Sequence, residues 1–264
     1  TDGVSQWVKK HTEYSNAAAD KIKRLDPQAT VIGLGSPSCT NFRALTLNVS
    51  KNLTGVVDHP YPWNMLPEMI PYSWSFEKRD GLKVGDAEGT LAGLYHSYDD
   101  LFRRGNIKRS LWITEFGWST MWINKDNIAK AHIYPGFSEE AQAEYLLRRY
   151  LEGLATPVVA HLNMYEFVDS GKVDPYDRQR NFGLLRHDFS QKPSYRVLSR
   201  LNALMHNAEL DTEAEVTQTL ESSQSKTKEN FHMHGTMKVA ENHGIRIYPY
   251  LDPEAPGERL LGIW

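Results

Sequence analysis

The chain holds one cysteine, Cys39, in 264 residues, so no disulfide can form within it and its redox compartment stays open. Cys39 follows a Gly-Ser-Pro turn with no activating partner nearby in sequence, which reads as a buried structural thiol. No run approaches the roughly 20 apolar residues of a membrane span. His-x-x-x-His and Cys-x-x-Cys pairs are missing too, so the ten histidines supply no metal framework and no cofactor is expected. His232 and His234 would share one face of a strand and could hold a metal; an ordinary pair of surface histidines is the plainer reading. Neither sign of charge dominates: 30 Lys and Arg stand against 33 Asp and Glu, a net charge of -3. That gives no reason to expect nucleic acid or an anionic membrane as partner. An initiator Met and a signal-peptide pattern are absent, as in a processed or truncated product. Asn48-Val-Ser and Asn52-Leu-Thr fit the glycosylation sequon, which matters only in a eukaryotic secreted protein.

What is present describes an ordinary globular protein: 40% hydrophobic and 24% charged residues, long enough for one large core or one domain with an appendage. Up to about residue 206 helical and strand patterns alternate, the signature of parallel α/β architecture. Val4, Trp7, Val8, Tyr14, Ala18, Ile22 and Leu25 recur at helical spacing and predict an amphipathic first helix, ended by Asp26-Pro27. Strands are expected at 29–34, 54–58, 111–115 and 157–167. Helices are expected at 90–104, with Leu91, Leu94, Tyr95, Tyr98 and Phe102 inward, and after Ser138, whose hydroxyl can cap a first turn carrying Glu139 and Glu140. Leu146, Leu147, Tyr150 and Leu154 face the core in that second helix, and a last helix covers 194–206. A polar linker, 207–230, then leads to three short β-like runs at 231–239, 244–251 and 259–264, read as a partial β-sandwich-like appendage.

Four βα units fill about 200 residues, whereas a closed (β/α)8 barrel needs eight. The expected fold class is therefore α/β, of the TIM-barrel type, with the second half alone present. Half a barrel leaves sheet edges and a core face open, so a missing N-terminal half-barrel or a homodimer is the expected protein partner.

The run LWITEFGWST, 111–120, delivers Glu115 to a strand end, flanked by aromatics, with Gly117 letting the backbone turn. A carboxylate at the C-terminal end of a core strand lies where α/β barrels keep their chemistry. If the sheet is parallel, the preceding strand brings His59, Tyr61 and Trp63 to the same face, and the next brings Tyr165, Glu166 and Phe167. Tyr165 is taken as the inward residue of that pair, and Asp169 as a loop cap. Aromatic faces around a carboxylate suit a sugar, and glycosidases work with two carboxylates, one of which attacks or activates water. Trp63 and Trp118 are candidate platforms for the sugar's apolar face, with buried core as the alternative for either.

Four stretches carry a family resemblance, in order and at matching spacing over about 200 residues: TEYSNAAADKIKRLDPQATVIGL (12–34), VVDHPYPWN (56–64), WITEFGW (112–118), and NMYEFVDSG with NFGLLRHDFSQKPSY (163–195). Together they resemble the C-terminal half of a clan A retaining glycoside hydrolase, similar to families 39 and 5. The resemblance implies that Glu115 is the catalytic nucleophile, that His59 and Tyr61 orient it and bind sugar hydroxyls, and that Tyr165 stacks on substrate. It also implies an acid/base Glu within an Asn-Glu-Pro sequence at the end of the family's fourth strand. No such sequence occurs between Thr1 and Trp264, so the acid is expected upstream. The expected activity is retaining hydrolysis of a β-linked oligo- or polysaccharide, part of polysaccharide degradation, by an enzyme that is secreted or periplasmic. The rival reading is a non-catalytic carbohydrate-binding or structural fragment that lacks the proton donor.

Overall fold

A computed structural model describes residues 2–35, 38–70, 84–105, 108–211, 213, 247–255 and 257–263. Helices and strands alternate as α1 (Asp2–Leu25), β1 (Ile32–Leu34), α2 (Ser38–Leu45), β2 (Gly55–Asp58), α3 (Leu91–Arg104), β3 (Ser110–Ile113), α4 (Glu139–Leu154), β4 (Val159–Leu162) and α5 (Pro193–Leu204). The strands pair in the order β1-β2-β3-β4, all parallel, which leaves β1 and β4 as the edges among the described residues. This is half the strand count of a barrel. Closure is not part of what the described residues form.

The inner strand β2 is buried along its whole length, as a parallel strand covered on both faces must be. Leu111 and Ile113 of β3 join Val56 in one core with Leu91, Leu94, Tyr95, Tyr98 and Phe102, the five residues that sequence spacing assigned to the inner face of α3. By strand alternation, Trp112 points to the other sheet face, where it stacks on His161 at 4.9 Å between ring centroids. That face is only partly covered, with Ile32 37% exposed.

Helix starts follow their capping chemistry. Thr90 accepts the Gly93 amide at 2.9 Å and Ser138 accepts the Ala141 amide at 3.1 Å. Pro193 opens α5, where its missing N–H costs nothing.

Four features depart from the sequence reading. The buried stripe of α1 is Val8, Thr12 and Ala19, while Trp7, Tyr14, Ala18, Ile22 and Leu25 are exposed. Small side chains let the helix approach its neighbours closely, and Trp7 instead lies flat against His11 on the surface, at 5.2 Å. The side chain of Val4 lies outside the description. In α4, Leu154 is exposed, whereas Gln142, Arg149 and Glu152 are buried. Strand β4 stops at Leu162 because the chain beyond it bonds to neighbouring loops: the Tyr165 amide donates to Phe116 O at 2.7 Å and that of Glu166 to Phe182 O at 3.4 Å. Cys39 is half-buried in the first turn of α2 rather than buried.

The appended sheet contains β5 (Glu209–Leu210), β6 (Ile247–Leu251) and β7 (Arg259–Ile263), antiparallel in that order. Glu209 and Leu210 thus pair with a strand although they fall in the polar stretch. Tyr250 seats the sheet on α4 by donating to Leu151 O at 3.1 Å. The run 231–239, with His232 and His234, lies outside the described residues.

The loops after β3 and β4 are clamped by a buried ion pair, Lys192 Nζ to Asp169 Oδ1 at 2.8 Å, with side-chain exposures of 1% and 5%. Lys192 also donates to Thr120 Oγ1 at 3.0 Å, and Asp169 also accepts the Gly183 amide at 2.7 Å. Replacing Lys192 with Met leaves Asp169 charged and unpaired, so K192M is expected to lose about 3–5 kcal/mol of unfolding free energy in urea titrations. The double variant K192M/D169L should recover a large part of that loss.

Candidate active site

The register of the sheet builds the site. Asp58 pairs with Ile113, and Ile113 with Leu162, so β2, β3 and β4 end level with one another. The residues just beyond the ends therefore meet: His59 Nε2 and Thr114 Oγ1 are 2.8 Å apart, and the Asn163 amide donates to Ile113 O at 2.8 Å. Glu115 follows directly. Its Oε2 accepts the Tyr61 hydroxyl at 3.1 Å and lies 3.8 Å from His59 Nδ1, while its side chain stays 41% exposed. Among the described residues, Oε1 has no hydrogen-bond partner. One oxygen is held and the other is left without a bond among the described residues, an arrangement suited to nucleophilic attack.

Gly117 permits this geometry through space rather than through a turn. A Cβ there would lie 2.3 Å from Tyr165 O, so the chain after β4 can press against the Glu115 segment only if residue 117 is Gly. Tyr165 then stands 5.5 Å from Phe182, and Phe182 6.2 Å from Tyr61, giving a row of three rings beside the carboxylate. Burial raises both the Tyr61 and Tyr165 hydroxyls, and negative charge adds to it, from Glu115 at Tyr61 and from Glu166 and then Glu115 at Tyr165.

Trp63 is 42% exposed and meets Tyr134 edge-on at 6.2 Å, so its face is available to a ligand. Trp118 is not: it is 1% exposed, with Phe116 and Tyr145 edge-on to it and the Arg149 guanidinium 5.7 Å above its ring. Its core reading stands and its platform reading does not. Glu166 follows Tyr165 directly and its side chain bonds to that of Ser170. Its charged neighbours are Asp169, Lys192 and His187, and burial, the first cause, raises its carboxyl. Asp169 is a structural partner of Lys192 and the Gly183 amide, as a loop cap would be.

Three residues of the site escaped the sequence reading as functional groups. Phe182 lies within NFGLL, but nothing in its spacing marks a stacking role. Tyr134 and Arg178 come from the long loops after β3 and β4 and line one narrow crevice with Tyr61, Trp63 and Phe182. The Arg178 guanidinium sits 4.0 Å from the centre of the Tyr134 ring and 6.0 Å from that of Phe182. Among the described residues it has no hydrogen-bond or ion-pair partner, so its donors remain available.

Beneath the site, Asp58 is completely buried. It accepts from Ser38 Oγ at 2.6 Å, Tyr98 OH at 2.7 Å and the His59 amide at 2.7 Å, which fixes the backbone that presents His59. Burial, stronger than these bonds, pushes its carboxyl up to about 6.

Comparison with solved structures completes the picture. The chain overlays a family 39 glycoside hydrolase from the gut symbiont Bacteroides cellulosilyticus with a TM-score of 0.56 at 23% identity, over 76% of this chain and 38% of that one. The fold is glycoside-hydrolase-like. A family 39 enzyme from Xanthomonas axonopodis pv. citri (16% identity, TM-score 0.45, 74% of this chain and 37% of that) overlays more loosely. So does a β-glucuronidase from Bifidobacterium dentium (20% identity, TM-score 0.44, 74% and 27%). The chain thus spans less than two-fifths of the length of each of these enzymes. No protein-family profile matches the sequence, and comparison with curated protein sequences gives no match.

The raised carboxyl of Asp58 makes a pH prediction with a definite sign. Folding favours its protonated form, so its contribution is complete below the unfolded value near 4 and is lost as pH rises through about 6. Unfolding free energy should fall by roughly 2 kcal/mol between pH 4 and pH 7 from this group. Denaturant titrations of D58N at the two pH values should lack that component.

Proposed function

We propose that the chain carries the nucleophile side of a retaining glycosidase site acting on β-linked oligo- or polysaccharide. The observation that supports it most directly is the Tyr61–Glu115 hydrogen bond of 3.1 Å, with His59 3.8 Å from the same oxygen. Glu115 Oε1 attacks the anomeric carbon and forms a glycosyl ester. The bond from that carbon to the leaving oxygen breaks, and the electron pair goes to the oxygen. Water then cleaves the ester and regenerates the carboxylate. Tyr61 and His59 orient the nucleophile, Tyr165 and Trp63 offer ring faces to the sugar, and a second carboxylic acid, supplied by a complementary half-barrel, protonates a poor leaving group. Activated aryl leaving groups depart without that proton, so they report on Glu115 alone.

A 2,4-dinitrophenyl 2-deoxy-2-fluoro-β-glycoside series in the gluco, xylo and galacto configurations should label Glu115, as read by peptide mass spectrometry. E115Q should abolish labelling. Y61F removes one hydrogen bond to a charged group and should slow it by roughly 10- to 100-fold. A folded chain, joined to a half-barrel carrying Asn-Glu-Pro, that remains unlabelled by every member of the series sinks the proposal. Sugar binding that survives E115Q without any turnover supports the non-catalytic reading instead.

A further inference from the structure

Among the described residues, Arg178 is the one charged side chain that lines the narrow crevice at Tyr61 and Trp63, and it is half-buried there. The loop that carries it fixes its place. Arg178 O accepts Ser119 Oγ at 2.8 Å, which ties the residue to the segment after Glu115. The preceding Asp177 accepts the Gln179 amide at 2.8 Å and pairs with Arg180 at 3.0 Å. Two arginines of one short turn thus differ in kind. Arg180 is neutralised by Asp177 and also donates to Lys172 O at 3.1 Å, whereas the Arg178 guanidinium has no hydrogen-bond or ion-pair partner among the described residues.

The rings hold Arg178 without discharging it. Its guanidinium lies over the Tyr134 ring at 4.0 Å, a contact that uses the attraction of cation for ring and none of the five N–H donors. A half-buried cation with no acceptor is costly, and its planar fork fits a carboxylate or a sulfate through two parallel N–H···O bonds. A sugar hydroxyl would leave the charge uncompensated. The charge also answers a problem set by Glu115, whose carboxylate, bonded to Tyr61, repels any anion that enters beside it. Arg178 opposes that field: its charge reaches the Tyr61 hydroxyl, where it works against the raising by burial and by Glu115. On its other side lies an open depression lined by Asp126, Asp174 and Asp177, none of which forms an ion pair with Arg178. Asp177 is held by Arg180, Asp174 accepts the Tyr176 amide at 2.9 Å, and Asp126 shares the depression with Lys130.

We infer that Arg178 recognises an anion, and that the sugar bound at this crevice carries a negative group, either the carboxylate of a uronic acid or a sulfate ester. The inference rests on the glycosidase reading and narrows its substrate from any β-linked glycan to an acidic one.

Calorimetric titration of the full chain with glucuronate, galacturonate, glucose 6-sulfate and galactose 6-sulfate, each against its neutral parent sugar, tests it. At least one acidic sugar should bind about tenfold or more tighter than its parent, and R178Q should erase that gain. R178K keeps the charge but not the fork and should retain only part of it. Unchanged urea midpoints will show that both variants fold. A gain confined to the uronates assigns the anion as a carboxylate, and one confined to the sulfates assigns a sulfate ester. No gain for any of the four, or a gain that survives R178Q, overturns the inference. Failure of Glu115 labelling with an Arg178-dependent gain intact removes the catalytic reading and leaves the anion site standing.

Discussion

Everything at the site depends on the register of the parallel sheet. With Asp58, Ile113 and Leu162 level, the backbone of three strands ends in one line, and the next residues of each strand can touch. A slip of one residue in β3 would carry Glu115 away from Tyr61 and bury or expose the wrong alternate side chains. The apolar contacts that hold this register are on the helix side: Val56, Leu111 and Ile113 against the five inward residues of α3. Packing on one face of the sheet thus sets chemistry at its end.

The register alone does not hold the loops. Gln142, fully buried in α4, donates to Trp118 O at 2.8 Å and Phe182 O at 3.2 Å, and its own oxygen accepts Ser194 Oγ at 2.8 Å from α5. Lys192 and Asp169 lock the same two loops from below. These buried polar groups are fully partnered, so they fix direction where apolar packing would allow slippage. They do not come near a ligand, yet they determine where Phe182 and Tyr165 stand.

Much of this was legible in the sequence, for physical reasons. The five inward residues of α3, the Ser138 cap and the strand bearing Glu115 follow from spacing and local chemistry alone, and the parallel order of helices and strands follows from their alternation. Glu115, His59 and Tyr61 could be grouped because each lies just past a strand end. What spacing could not supply was any contact whose partner is distant in sequence. Gln142 and Arg149 were not among the residues that spacing assigned to the core face of α4, yet both are buried. Trp118 and Trp63 look alike as letters, and only packing by Phe116, Tyr145 and Arg149 makes the first a core residue. Arg178 lies in a long polar loop and carries no local signal at all. The α1 stripe failed for the opposite reason, since large apolar residues outweighed the small ones that the helix buries.

Asp58 and Glu115 show how one position relative to a strand end can serve two ends. Both are carboxylates at the C-terminal edge of adjacent strands. Asp58 closes β2 against α2 and α3, where burial pushes it up to about 6 and three donors surround it. Its oxygens are committed, so it can position a neighbour but not react. Glu115 lies two residues past β3, beyond the reach of the helices, and keeps 41% of its side chain open. Tyr61 supplies its donor, and burial, with the charge of Glu115 added, raises that phenol. A carboxylate anchored through one oxygen only keeps the other for a new bond; anchored through both, it is a strut.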